Sequence, residues 1–460
     1  MHDLTQGSIP RHIIRMAIPM AIGMIFQTLY YLVDLYFVGR LGDVALAGVS
    51  AAGNVQYIVM ALTQVLGVGT MVLIAHAAGR KDAADGNLVF NQSLTLSAIA
   101  AVIVFVGGYA FGDAYLRTLA ADEATFEAGR AYLHWFLPAL GLQFALISIG
   151  SALRGTGVAK PTMVVQVLTV VLNAVLAPVL IAGWGTGHPM GVAGAALAST
   201  IAVIVAVAVL LAYFLKLEHF VGLDRALLRP HLATWKRMLR IGLPAGGEFA
   251  LLFVNVGINY AIIGRFGSAA QAGFGVGQRM MQAIFLPAMA IAFAAAPIAG
   301  QNLAAGKPER AKQTFYDAVR IGSVLMALLT LFAHWRPEWL ISGFTDDPAA
   351  REVAVMFLRI ISWNFVAAGI LFTCSGMFQA MGNTVPSILS SAARLVIFAV
   401  PALWIAAQPH FQLHWVWYVS VAASTLQTAF TLWLLSREAR KRLAPRPVAP
   451  PSPVPEGAPA

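Results

Sequence analysis

Apolar runs of about twenty residues or more recur along the whole chain, separated by short polar stretches, and each is long enough to cross a hydrocarbon core of about 30 Å as a helix. The pattern predicts twelve spans, near 13–38, 46–75, 88–112, 130–152, 161–183, 190–215, 241–264, 270–300, 313–334, 353–380, 384–407 and 413–436. Backbone polar groups inside lipid have to bond to one another, so the runs read as helices and the fold class as an all-α polytopic membrane protein. The first run continues past Tyr31 with no cleavage pattern after it, and is expected to remain as a span.

A repeat orders these spans. Arg15, Pro19, Gly39, Arg40 and Gly42 recur 225 residues later as Arg240, Pro244, Gly264, Arg265 and Gly267, and Gly157 and Pro161 recur as Gly382 and Pro386. Six spans lie on either side of the repeat point, so the two halves run through the membrane in the same orientation, a parallel repeat. The expected organisation is an N-lobe over 1–215, a cytoplasmic linker over 216–240, a C-lobe over 241–436 and a proline-rich disordered tail over 437–460.

Composition fits a lipid solvent, with 59% hydrophobic and 11% charged residues. The net charge of +10 would suggest nucleic acid in a soluble protein, but its placement argues against that partner. With alternate connections assigned to opposite sides, 21 of the 30 Lys and Arg residues fall on the side of the N-terminus. Six fall on the other side (Arg40, Arg117, Arg130, Arg265, Arg336 and Arg351), and Arg279, Arg359 and Arg394 fall inside spans. By the positive-inside bias both termini are cytoplasmic, in a plasma membrane of bacterial type. The single cysteine, Cys374, excludes an intramolecular disulfide and a cysteine-rich metal site.

Only two carboxylates fall clearly within spans, Asp34 in the first and Glu248 in the seventh. An acid in hydrocarbon has to face a cavity, carry a proton or hold a cation, and Asp34 is the expected coupling group. Gln27, Tyr30 or Tyr31, and Asp34 share a helical face, as do Gln166, Thr169 and Asn173 in the fifth span, where Pro178 frees the carbonyl of Ala174. Glu248, Asn255 and Asn259 line up in the seventh span, Asn259 being the repeat mate of Asp34. These residues, with Tyr30 and Tyr31, are candidates for substrate or a second ion. The competing readings are pairing of Asp34 with Arg40, pairing of Glu248 with Arg240, helix-to-helix bonding by the amides, and snorkelling by Arg279 and Arg394. Met280, Met281, Phe285, Met289, Phe293, Met377 and Phe378 read as packing residues before cavity lining. GRLGDVALAG lacks the ending of a phosphate loop, and no catalytic pair, Ser/His/Asp set or metal-spaced histidine cluster is present, so no enzyme and no cofactor are expected.

VDLYFVGRLGDVALAGVS (33–50), RGTGVAKP (154–161) with its mate QAMGNTVP (379–386), and GQNLAAGK (300–307) make the chain resemble the multidrug and toxic compound extrusion (MATE) family over nearly its full length. The resemblance implies two six-helix lobes in a V, opening alternately inwards and outwards, with proton or sodium entry driving export of small organic, often cationic compounds. It matches Asp34 to the acid of the family's first helix, Gln27 to the polar residue two turns before, and Asn173 to the asparagine of the fifth-helix pattern. NAVLAP departs from that pattern by placing Ala177 where many members carry an aspartate, and Glu248 stands about one turn before the glutamate of sodium-coupled members. With sodium ligands missing, the expectation is proton coupling in a monomer; the rival reading is a lipid-linked oligosaccharide flippase.

Overall fold

The computed structural model describes residues 2–120, 122–185, 187–217, 220–344 and 347–443, and among these the secondary structure is helical without strands. Twelve helices are long and apolar enough to cross a membrane: span 1 Ile9–Gly39, span 2 Asp43–Arg80, span 3 Ala83–Leu119, span 4 Glu123–Gly155, span 5 Lys160–Ala182, span 6 Val192–Lys216, span 7 Leu232–Phe266, span 8 Ser268–Ala304, span 9 Pro308–Trp335, span 10 Pro348–Ala380, span 11 Val385–Ala406 and span 12 Leu413–Arg442. Most outrun the apolar segments that predict them, because the helix continues into polar ends. Span 12 reaches Arg442, six residues beyond the apolar run, where Arg442 donates to the carbonyl of Met381 and to Glu438. The rest of the expected tail, 444–460, lies outside the described residues.

Span 7 likewise begins at Leu232, inside the stretch expected to be linker. The helix is held there because Met238 is fully buried and the Trp235 indole donates to Gln92 Oε1 at 2.7 Å. Gln92 also donates to the carbonyls of Leu227 and Arg229 and accepts from the His231 amide, while Asn91 bonds Gly222 and Asp224. The linker is thus docked onto the start of span 3, its backbone groups satisfied by two amide side chains.

Packing repeats between the halves. Span 4 lies against spans 2, 3 and 6, span 5 against spans 1 and 6; at the corresponding places span 10 lies against spans 8, 9 and 12, span 11 against spans 7 and 12. The halves meet through spans 1 and 2 on one hand and spans 7 and 8 on the other. Small residues allow that approach, since a Cβ at Gly69 of span 2 would stand 2.6 Å from the Met238 carbonyl oxygen of span 7.

The contact is one-sided. Near the termini, apolar clusters bridge the lobes: Val68, Leu73 and Ile74 pack with Met238, Ile241 and Ala245, and Ile9 and Ile13 pack with Ala290, Ala294 and Ile298. Towards the opposite side each lobe closes a core of its own, around Phe136 and Leu140 in the first and Phe274 and Trp417 in the second. The residues before span 1 cross the closed side. His2 donates to the Thr156 carbonyl at 2.8 Å. Buried Leu4 donates to Gln301 and accepts from Asn302, and the carbonyls of Thr5 and Gly7 accept from Lys307 and Arg310. Hydrogen bonds from the Thr5 hydroxyl and amide hold the Asp3 carboxyl below the usual carboxylate range.

Candidate functional site

Span 1 turns Asp34 into the N-lobe, where the side chain is 9% exposed. Tyr132 of span 4, itself 4% exposed, donates its hydroxyl to Asp34 Oδ2 at 3.1 Å, while Oδ1 is buried without a hydrogen-bond partner. Fully buried Asn173 of span 5 faces the same carboxylate, and neither atom of its amide closes a hydrogen bond. Tyr30, one turn earlier on span 1, lies against Ser199 of span 6 and within the field of the carboxylate. Asp34 thus has one donor, one facing amide and an unfilled oxygen. Arg40 does not pair with it; its guanidinium stacks over the Tyr36 ring at 5.7 Å, outside the pocket.

The other first-span candidates belong to a neighbouring patch. Gln27 is exposed and lies against Tyr31 instead of the carboxylate, because two turns along the same face the helix has left the lobe interior. Tyr31 accepts from Gln56 Nε2 at 3.4 Å, and Gln56 exchanges hydrogen bonds with Gln143 at 2.9 and 3.3 Å. Gln166 faces Gly23 of span 1, and the Thr169 hydroxyl is taken up by the Val165 carbonyl of its own helix. Ala177 is buried in the N-lobe apolar core, so no carboxylate takes the second place there.

In the C-lobe the candidates separate. Glu248 accepts from the Ser375 hydroxyl of span 10 at 2.9 Å, and Ser387 of span 11 donates to Ser375 at 3.3 Å. Glu248 therefore points into its lobe and leaves Arg240 alone. Asn259, 8% exposed, spends its amide on the carbonyl and side chain of Asn255, so the two asparagines bond each other one turn apart and not Glu248. Met377 and Phe378 are buried in an apolar cluster with Cys374, and Met280, Met281 and Phe285 pack against the C-lobe core. Arg359 lies inside span 10, as its sequence position indicates, with its side chain exposed and bridging Glu338 at 3.1 Å.

Tyr132, Gln56, Gln143 and Ser199 carried no signal in the sequence beyond being polar within a span. Among the described residues no three His, Cys, Asp or Glu side chains gather to hold a metal.

The MatE family model matches residues 19–179 and again 244–405, starting at Pro19 and Pro244, the same pair that the repeat superimposes. An FAD transporter of Shewanella oneidensis is 26% identical over 404 residues, covering 87% of this chain and 88% of the relative. The probable multidrug resistance protein YoeA of Bacillus subtilis is 27% identical over 383 residues (81% and 82%), and the multidrug export protein MepA of Staphylococcus aureus 26% over 395 (84% and 86%). Among solved structures, an outward-facing multidrug resistance MATE family transporter of the MOP superfamily superimposes with a TM-score of 0.88 at 26% identity, over 96% of this chain and 98% of the other. A MOP superfamily transporter from Pyrococcus furiosus, described by a binding pocket of reverse polarity, gives 0.87 at 26% identity over 95% and 98%. Joined on one side and parted on the other, with a doubled match from the first lobe through the second, the chain belongs to the MatE family of membrane transporters.

Proposed function

We propose that the protein exports small organic compounds, cations among them, by alternating access of its two lobes, with proton entry as the driving step and Asp34 as the group that couples them. The observation that carries this reading is the half-satisfied carboxylate: Asp34 is buried, holds a single hydrogen bond from Tyr132, and leaves Oδ1 bare. A charged oxygen in low dielectric without its full set of donors is costly, whereas the neutral acid can be both donor and acceptor, so the site suits a group that takes up and gives back a proton.

The donor set argues for protons over sodium. A sodium ion asks for negative charge as well as oxygens, and here Asp34 is the single carboxylate, with a methyl group at Ala177 in place of a second acid and a hydroxyl hydrogen from Tyr132 already turned to Oδ2. Counting charges by loop puts the closed, terminus-bearing side in the cytoplasm, so the lobes part towards the exterior and a proton reaches Asp34 from outside. Deprotonated Asp34 favours a cationic substrate; protonation removes that attraction, so proton and substrate compete for the site and each shifts the lobes by its difference in affinity between the two states. Glu248, with Ser375 and Ser387, supplies a second acidic position in the C-lobe. The oligosaccharide-flippase reading is set aside, since the relatives are named for drug or flavin transport.

The test is uptake of a fluorescent organic cation by proteoliposomes under a pH gradient and a sodium gradient imposed separately. Wild type should transport under the pH gradient alone, and Asp34→Asn should be folded and lose at least ten-fold of the driven rate. Full transport by the variant, or drive by sodium alone, would overturn the assignment.

A further inference from the structure

Span 11 presents two faces. Val385, Leu389, Val396, Val400 and Leu403 are exposed and face lipid, whereas Ser387, Ser390, Phe398 and Ala402 are buried in the C-lobe. Arg394 falls on the second face, one turn past Ser390 and one before Phe398, so its side chain enters the lobe. It is also deep. Thr384, where span 11 begins, bonds the Ile241 carbonyl at the closed end, and ten residues further at 1.5 Å each puts Arg394 about 15 Å in, near the middle of a core of about 30 Å.

Five other arginines close to or within the spans are engaged, while Arg279 inside span 8 is exposed. Arg154 donates to Ser151, Arg265 to the Ala406 carbonyl, Arg237 to Asp85, Arg359 to Glu338 and Arg442 to Glu438. Arg394 forms no hydrogen bond or ion pair among the described residues, and its Nε is buried without an acceptor. The carboxylate of its own lobe does not neutralise it, since Glu248 is taken by Ser375 nearer the closed end. Just below Arg394, on the same side, Ser390 meets Thr431 and accepts from Gln427 Nε2 at 3.2 Å, leaving Gln427 Oε1 unbonded. A permanent cation at mid-membrane without a counter-ion is expensive, and a guanidinium is shaped to take two oxygens of one oxyanion at once.

We propose that Arg394 is the anion-binding residue of a subsite in the C-lobe that receives the phosphate or carboxylate of a substrate, with the Ser390, Thr431 and Gln427 layer as its polar floor. The inference rests on the export reading and deepens it by adding a substrate class, zwitterionic or anionic compounds whose oxyanion enters the C-lobe. A lipid headgroup offers the same chemistry, and the experiment separates the two sources.

The measurement is equilibrium binding of flavin mononucleotide and of riboflavin, the same ring with and without phosphate, to the full chain in nanodiscs of phosphatidylcholine, read by flavin fluorescence. Wild type should bind the phosphorylated flavin at least ten-fold more tightly. Arg394→Gln should abolish the preference, Arg394→Lys should keep part of it, and riboflavin affinity should be the same in all three, which also reports that the variants are folded. Asp34→Asn should retain the preference, and since no gradient is involved, failure of proton coupling and failure of the anion site are read independently. Repetition with phosphatidylglycerol identifies the occupant: a preference that persists assigns the subsite to the solute, and one that disappears assigns it to a headgroup oxyanion. Equal affinity for the two flavins in wild type, or an Arg394→Gln variant that weakens both alike, would overturn the proposal.

Discussion

Asp34 is set apart by what surrounds it more than by its acidity. Its one donor, the Tyr132 hydroxyl, comes from span 4, and its facing amide, Asn173, from span 5. A hydrogen bond to a charged acceptor is worth about 1.5–3 kcal/mol. Tyr132→Phe should therefore weaken the charged form of Asp34 and move the midpoint of the pH–transport profile upward, with folding retained; an unmoved profile would remove Tyr132 from the account. The sequence made Asp34 and Asn173 legible because polar groups are rare and expensive inside lipid. It could not supply Tyr132, Gln56 or Gln143, since their meaning lies in contacts between spans and one aromatic or amide among many carries no mark of its partner. Gln27 shows the opposite failure: helical spacing places it on the face of Asp34, yet the packing that buries one residue is gone two turns away.

Among the elements, the twelve spans could be read from hydrophobic length alone, and their order from the repeat. Their ends could not. The extension of span 7 back to Leu232 depends on Gln92, a residue 140 positions earlier in sequence, which ties Leu227, Arg229, His231 and Trp235 to span 3. Gln92→Ala strips these bonds from a partly buried linker and should cost about 1–3 kcal/mol, visible as a lower melting temperature of the detergent-solubilised protein. The close contact of spans 2 and 7 is equally specific. A Cβ at Gly246 would stand 2.9 Å from the Ala61 carbonyl oxygen and against the Val65 side chain. Gly246→Val should wedge the lobes apart on the closed side and reduce transport several-fold, whereas Gly257→Val, at a position with open space, should be tolerated.

For the whole molecule, the closed side is a set of bonds that opening on the side of the termini has to break. The segment His2–Gly7 bonds to both lobes at once, through Thr156 on one hand and Gln301, Asn302, Lys307 and Arg310 on the other. Deleting residues 2–7 removes these clasps and should shift the population towards an arrangement open on the side of the termini. Spin labels at Leu41 and Trp339, both exposed on the far side, should then report shorter distances between the lobes, with little background because Cys374 is buried. The unaltered distance distribution would mean that the segment only rests on the interface. Nothing in the sequence of this short stretch announces the clasp, because it bonds through its own backbone amides and carbonyls to groups, mostly side chains, that only the assembled lobes bring to it.

The central claim, that Asp34 exchanges a proton for a cationic substrate, is tested most directly by proton release on binding. Purified protein in weakly buffered detergent solution is mixed with a saturating organic cation while a pH-sensitive dye is followed. Wild type should release protons, fewer at high pH where the acid is already ionised, and Asp34→Asn should release none. Binding without release in wild type, or equal release from the variant, would contradict it.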